Sequence, residues 1–325
     1  MPRSLANTSP VDPSRAKVRY IEATEADVGQ RIDNFLLRQL REVPRSLIYR
    51  ILRSGEVRVN GSRARPAYRV ALGDRIRIPP IRTEPDKSVV RSPSAALQQL
   101  ITGAVLYEDR DLLVINKPAG VAVHGGSGVS FGVIESLRAT RPELQELELV
   151  HRLDRDTSGC LLLAKRRAAL RELHAIFRER ALQKDYLALV CGHWSLGNQT
   201  IDLPLKTNLK QGGERVVRVH SDGQEAITTF SLSRHFGKLA SLLDVVIGTG
   251  RTHQIRVHAA YAGHPVAGDE KYGDRECDAR LRAFGLNRMF LHAQGLQFVR
   301  GGADFSVRAP LSPELQQVLE RLQAA

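Results

Sequence analysis

The chain has 325 residues, 42% of them hydrophobic, with 48 Lys and Arg against 35 Asp and Glu, a formal net charge of +13. No apolar run approaches the roughly 20 residues that cross a bilayer, and the opening MPRSLANTSPVDPSR lacks the apolar centre of a secretory signal. A membrane-spanning protein is excluded; a cytoplasmic protein of two domains with a polyanionic partner is expected, because Lys and Arg neutralise phosphates and release their counterions. The three cysteines, Cys160, Cys191 and Cys277, are far apart and form no CxxC pair, so they predict buried or incidental thiols rather than a disulfide framework or a zinc site.

In chain order, the first twenty or so residues are rich in Pro, Ser and small polar types that bury little, and residues 1–28 are predicted to be a flexible tail. From Gly29, Ile32, Phe35, Leu36 and Leu40 recur at helical spacing, and Pro44 and Ser46 open a second helix with Leu47, Ile48, Ile51 and Leu52 inward, closed by Ser54-Gly55. A strand from Glu56 to Val59, an Asn60-Gly61 turn and an alternating strand at Arg75-Ile76-Arg77-Ile78 follow, ending at Pro79-Pro80. Residues 83–99, rich in Pro, Ser and charge, read as a linker. Residues 100–325 alternate apolar strands (Leu112 to Ile115, Cys160 to Ala164, Tyr186 to Val190, Leu242 to Ile247) with fewer helices, predicting one α+β domain on a mixed or antiparallel sheet. Its last helix has Ser312 as cap, Pro313 in the first turn and Leu315, Val318, Leu319 and Leu322 on one face.

Charge is not spread evenly. Residues 29–82 hold 13 Arg and no Lys against four acids, a net of about +9. Scattered arginines are usually solvated surface, but their confinement to one small module points to phosphate contact. GQRIDNFLLRQL, the Arg45-Ser46-Leu47-Ile48 helix start and SGEVRVNG resemble an S4 domain, a small RNA-binding module, over about 55 residues. The resemblance implies RNA contact through Arg31, Arg45, Arg50, Arg53 and Arg58.

The densest chemistry lies in His151-Arg152-Leu153-Asp154-Arg155-Asp156-Thr157-Ser158-Gly159, just before an apolar strand. Spacing alone fits a hydrogen-bonded turn from Asp156 to Gly159 with surface charges pairing around it. HRLDRDTSG, however, resembles the signature of the pseudouridine synthases of the RluA, RluC and RluD family, whose matching aspartate is catalytic. Three further segments agree: NKPAGVAVHGG from Asn116, QKDYLALV from Gln183, and GRTHQIRVH from Gly250 with GHPVAGD and KYG after it. By themselves, a tyrosine opening an apolar strand is more often core than catalyst, and the glycines at 125–128 match no phosphate-binding fingerprint. Three histidines, His253, His258 and His264, invite a metal, but no HExxH is present and their spacing does not share a helix face.

The resemblance implies Asp154 as the catalytic residue, Tyr186 packed against the target base, Arg256 (or Arg251) as ion-pair partner that keeps Asp154 ionised, and Arg152 filling the gap left by a flipped nucleotide or holding its phosphate. Asp156 belongs to the turn, and the glycine-rich loop to the wall of the site. No cofactor or metal is implied, since the isomerisation is redox-neutral. Asp154 attacking C1′ or C6, or removing a ribose proton, are all open as first steps. The run from Arg166 to His174 leading into QKDYLALVCG resembles the RluC type, which implies 23S rRNA as partner and a monomer. The rivals are a synthase acting on tRNA, a non-catalytic ribosome-binding protein, and a nucleoside or glycoside hydrolase, the last lacking an evident second carboxylate and sugar-binding aromatics.

Overall fold

The computed structural model describes residues 18–40, 43, 45–81, 92–125, 131–211 and 214–325, and divides into two compact units between Arg91 and Ser92. The first unit contains β1 (Arg19–Glu22), α1 (Ile32–Gln39), α2 (Arg45–Ser54), β2 (Arg58–Val59), β3 (Ser62–Arg63) and β4 (Arg75–Ile78). Its antiparallel sheet runs β1-β4-β2-β3. The helical spacing does what it predicts: Ile32, Phe35, Leu36, Ile48, Ile51 and Leu52 close over Ile76 and Ile78 in one buried cluster. Asn60 and Gly61 both take positive φ, 49° and 82°, the conformation that a tight turn between twisted strands requires.

The second unit contains α3 (Ala95–Thr102), β5 (Val105–Glu108), β6 (Leu112–Lys117), α4 (Val133–Thr140), β7 (Glu148–Leu149), β8 (Ser158–Ala164), α5 (Arg167–Arg178), β9 (Leu182–Cys191) and β10 (Gln199–Asp202). It continues with β11 (Leu205–Gln211), β12 (Glu214–Val219), β13 (Ile227–Phe236), β14 (Ala240–Ile247), α6 (Gln254–Tyr261), α7 (Arg275–Arg282), β15 (Leu291–Arg300), β16 (Ala303–Arg308) and α8 (Pro313–Gln323). The large sheet runs β10-β13-β14-β9-β15-β8-β6-β5, with β16 on β15 and β7 on β8. Only the β15–β8 pair is parallel, so the sheet is mixed and the fold α+β, as expected.

The unbroken apolar runs of β6 and β8 are explained by burial on both faces. Leu113, Ile115, Leu161 and Leu163 pack with Val133 and Leu137 of α4, while Leu112, Val114, Cys160 and Leu162 pack with Ala169 and Leu173 of α5. Further along, Leu187 and Leu189 of β9 meet Leu315, Val318 and Leu322 of α8. The α8 start differs in one detail: Ser312 makes no side-chain cap, and its Oγ instead accepts from Arg288 Nη2 at 3.1 Å.

Four expectations need correction. The tail is shorter than 28 residues, because β1 pairs with β4 and Ala23 is buried; residues 1–17 lie outside the described ones. The linker ends before residue 99, since Ser94 Oγ caps α3 and Ile101 is wholly buried; residues 82–91 also lie outside the described ones. Cys191 and Cys277 are joined in a disulfide, 86 residues apart in sequence, and only Cys160 is a free buried thiol. The turn of the charged motif spans Asp154 to Thr157, whose N–H donates to the Asp154 carbonyl at 3.2 Å, and Ser158 and Gly159 already belong to β8.

Candidate active site

The segment from His151 to Thr157 leaves β7 and re-enters the sheet as β8. It is held down at several points. Val150 N–H donates to the Leu162 carbonyl and Leu162 N–H to His151 Nε2, at 3.2 and 3.1 Å, while the Leu153 side chain enters the core. Lys117, at the end of β6, is wholly buried and donates its three ammonium hydrogens to the carbonyls of Pro118, Val121 and Arg155 at 2.8, 2.8 and 2.9 Å. Burial pushes its pKa down to about 7, against the opposing pull of Asp156 and Asp154. Gly159 closes the motif for a steric reason: its φ is +111°, and a Cβ there would stand 2.2 Å from the Ala293 carbonyl oxygen of the parallel neighbour β15.

Anchored this way, the motif presents Asp154 to the N-terminal end of α6. Arg256 Nη1 donates to Asp154 Oδ2 at 3.2 Å, whereas Arg251 turns away and donates its Nε to the Glu225 carbonyl. Arg256 is itself gripped from behind. Its Nε and Nη2 form a bidentate pair with Asp269, both at 2.7 Å, and the Asp269 side chain is completely buried and accepts further from Lys271 and Tyr272 N–H. Burial pulls the Asp269 pKa up, and the Arg256 pair more than reverses this, so the carboxylate titrates below its ordinary range. One arginine thus lies between two acids, of which only Asp154 has a partly exposed side chain.

His253 approaches the same oxygen, with Nε2 3.8 Å from Asp154 Oδ2. It caps α6 in the left-handed conformation (φ 54°), unusual for a residue with a Cβ. Its Nδ1 lies 2.8 Å from the Tyr272 hydroxyl, which already accepts from Val217 N–H at 3.0 Å. This bond fixes the ring with its Nε2 edge toward Asp154. Burial lowers the His253 pKa, with Asp154 opposing. His258 and His264 are occupied elsewhere: His258 bonds Thr228 Oγ1 and the Leu203 carbonyl, and His264 the Cys191 carbonyl.

Tyr186 rises from β9, between β14 and β15, with its side chain buried, and its hydroxyl makes no hydrogen bond among the described residues. Burial, and next the Asp154 charge, push its phenol pKa upward. Asp154 lines a cleft of about 850 Å³ and, with Tyr186, a narrow recess of about 80 Å³ beside it. Arg152 borders both and makes no hydrogen bond or ion pair among the described residues. Ala119, Gly120 and His124 of the NKPAG segment line the larger cleft, while residues 126–130 of the glycine-rich loop lie outside the described ones. Asp156 pairs with its neighbour Arg155 at 3.1 Å.

In the first unit, Arg31 is held by Asp33, which also accepts from the Tyr49 hydroxyl. Arg53 donates to the Tyr49 carbonyl and Arg58 to that of Gly61. Arg50 is exposed and has no polar partner among the described residues, and the Arg45 side chain lies outside them.

Residues 111–261 match the family described as RNA pseudouridylate synthase, and residues 30–76 the S4 domain. Over 312 residues the chain is 51% identical to the ribosomal large subunit pseudouridine synthase C of Escherichia coli (strain K12), covering 95% of this chain and 98% of that one. The chain belongs to the RNA pseudouridylate synthase family. The synthase is also 52% identical to the protein of the same name from Yersinia pestis over 93% of its length and 95% of that relative's. Two human structures share its fold: RNA pseudouridylate synthase domain containing 4, with a TM-score of 0.59 and 26% identity over 70% of this chain and 96% of that one, and domain containing 1, with 0.54, 29%, 68% and 95%. It is an isomerase acting on RNA.

The synthase's site includes residues to which sequence reasoning assigned no part. Asp269 and Tyr272 lie in segments already noted, GHPVAGD and KYG, and Lys117 in NKPAG. A signal for Asp269 did exist: an arginine buried in a core needs more counter-charge than one partly exposed acid provides.

Proposed function

We propose that the synthase converts specific uridines of 23S rRNA, in the large ribosomal subunit, to pseudouridine, with Asp154 as the catalytic carboxylate. The observation that carries this is the state of its two oxygens. Oδ2 is held by Arg256, while Oδ1 has no partner among the described residues, and Asp154 lines the recess that Tyr186 also walls. An oriented carboxylate with one oxygen unengaged suits each of the three first steps: attack on C1′, attack on C6, or removal of a ribose proton.

The reaction balances without a cofactor. The bond from C1′ to N1 breaks, the uracil turns, a bond from C1′ to C5 forms, C5 loses its proton and N1 gains one. Unstacking the uridine costs a few kcal/mol, which must be recovered from contacts in the site. Tyr186 supplies the face for the uracil, Arg152 fills the gap in the RNA or holds the phosphate, and Arg256 orients Asp154. Arg31, Arg45, Arg50, Arg53 and Arg58 grip the surrounding RNA. The protein works as a monomer in the cytoplasm and without a membrane; no helix among the described residues is long and apolar enough to cross one.

The test is carbodiimide mapping of 23S rRNA fragments incubated with the protein and with Asp154→Asn. The expected result is conversion by the unaltered protein only, with both binding RNA. Equal conversion by the two would overturn the assignment.

A further inference from the structure

Next to the Asp154 recess, and sharing Arg152 and Tyr186 with it, lies a second recess of about 420 Å³ that the reaction does not use. It is formed by the start of the catalytic motif, the C-terminal end of α5, the beginning of β9 and the loop from Gly248 to Arg251. Five cationic side chains line it: Arg152, Arg178, Arg180, Lys184 and Arg251. Among the described residues only Arg180 forms an ion pair with an acid, a bidentate one with Glu225 at 3.0 and 2.5 Å. His151, also on the wall, is not a further cation at neutral pH, because burial and then the Lys184 charge push its pKa down to about 4.

Lys184 is the unusual member. Its residue is only 8% exposed, yet its ammonium, with three hydrogens to place, makes one long hydrogen bond, to the Thr249 carbonyl at 3.3 Å. Its remaining contact is with the face of Phe177, 5.6 Å away. Lys117 is the comparison within the same unit: wholly buried, but with all three donors filled. Unfilled ammonium donors facing a recess call for water or an anion to complete them, and an anion also offsets the burial that lowers the Lys184 pKa to about 8.

We infer that this recess is a phosphate subsite: it takes a backbone phosphate of the substrate strand beside the flipped uridine, with Lys184 as the inner ligand and Arg178 at the mouth. The inference rests on the reading of the protein as an RNA-modifying synthase. Arg152 and Tyr186 border this recess and the Asp154 recess alike, so a nucleotide unstacked against Tyr186 brings its neighbouring phosphates to the Lys184 side. Every nucleotide carries the same phosphate, so the subsite holds the strand in register without reading its sequence.

The experiment measures RNA affinity across a salt series for the full-length protein, Lys184→Met, Lys184→Arg and the exposed Arg178→Ala, with a 23S fragment carrying the target uridine. A set of fragments with single methylphosphonates flanking that uridine completes it. Lys184→Met is expected to weaken binding about tenfold and to lower the slope of log affinity against log salt by about 0.7–0.9, the share of one phosphate. Lys184→Arg restores most of the slope, and Arg178→Ala shows a smaller loss of the same kind. One methylphosphonate position should weaken the unaltered protein and leave Lys184→Met unaffected. Unchanged salt slopes in Lys184→Met and Arg178→Ala, or a methylphosphonate penalty equal in all proteins, would overturn the subsite. Binding is read apart from conversion, so failure of the catalytic assignment shows as absent pseudouridine with these slopes intact.

Discussion

The two units use positive charge in opposite ways. In the first, Arg50 and Arg58 stand exposed, with no acid against them among the described residues, and Arg58 donates to a single carbonyl. In the second, Arg256 and Lys117 are almost wholly removed from water, with each guanidinium nitrogen of Arg256 bonded to one of two carboxylates and all three donors of Lys117 bonded to carbonyls. Exposed charge is inexpensive to maintain and serves a partner that arrives from solution; buried charge must be compensated inside the fold and serves geometry. Removing Arg50 or Arg58 should therefore cost binding, whereas removing Lys117 or the partner that grips Arg256 should cost stability or turnover.

The largest expected effect is at Asp269. Its side chain is completely buried and acts through Arg256, so it is a positioning residue. Asp269→Asn keeps the shape but loosens the bidentate grip, and a displacement of Arg256 on the order of 1 Å should lower kcat about 100-fold. RNA affinity should stay within about twofold. A drop in affinity with kcat preserved would break the division between the units.

Lys117→Met comes next. It leaves three carbonyls of the site loop without donors and should destabilise the protein by about 3 kcal/mol, seen as a melting temperature lower by roughly 6–12 °C. The pH dependence sharpens the point. Lys117 titrates near 7 in the fold against an ordinary 10.5, so between these values the unfolded chain binds more protons and stability from this group rises with pH. The stability difference between the unaltered protein and Lys117→Met, from urea unfolding, should be flat below pH 7 and widen from there toward pH 10. A difference that narrows over that range would show that the buried ammonium is favoured by the fold.

The smallest effect belongs to the first unit. Arg50→Ala and Arg58→Ala together should weaken RNA binding about three- to tenfold at moderate salt and lower the salt slope by about 1.5, leaving kcat and the melting temperature nearly unchanged. Loss of stability instead, measured by calorimetry, would mean that these arginines hold the unit together.

Much of the fold and of the site is legible in the order of the amino acids, because local and periodic features depend on neighbours a few residues away. The helices α1 and α2 follow from apolar spacing, the Asn60-Gly61 turn from residues that tolerate positive φ, and the buried strands β6 and β8 from uninterrupted apolar runs. The concentration of arginine in residues 29–82 and the motif around Asp154 are equally plain. What only the tertiary structure decided were pairings between distant positions. Arg256 and Arg251 are indistinguishable by spacing, and the choice rests on the α6 start aiming one at Asp154, 102 residues away, while the other reaches Glu225. The strand β1 reads as tail because four residues carry little signal until β4 pairs with them. The Cys191–Cys277 bond joins β9 to α7, and its CxxC-free spacing conceals it. The sequence by itself determined which groups the protein possesses and how each short segment bends; the sheet, by bringing remote segments within hydrogen-bond reach, decided which charges meet.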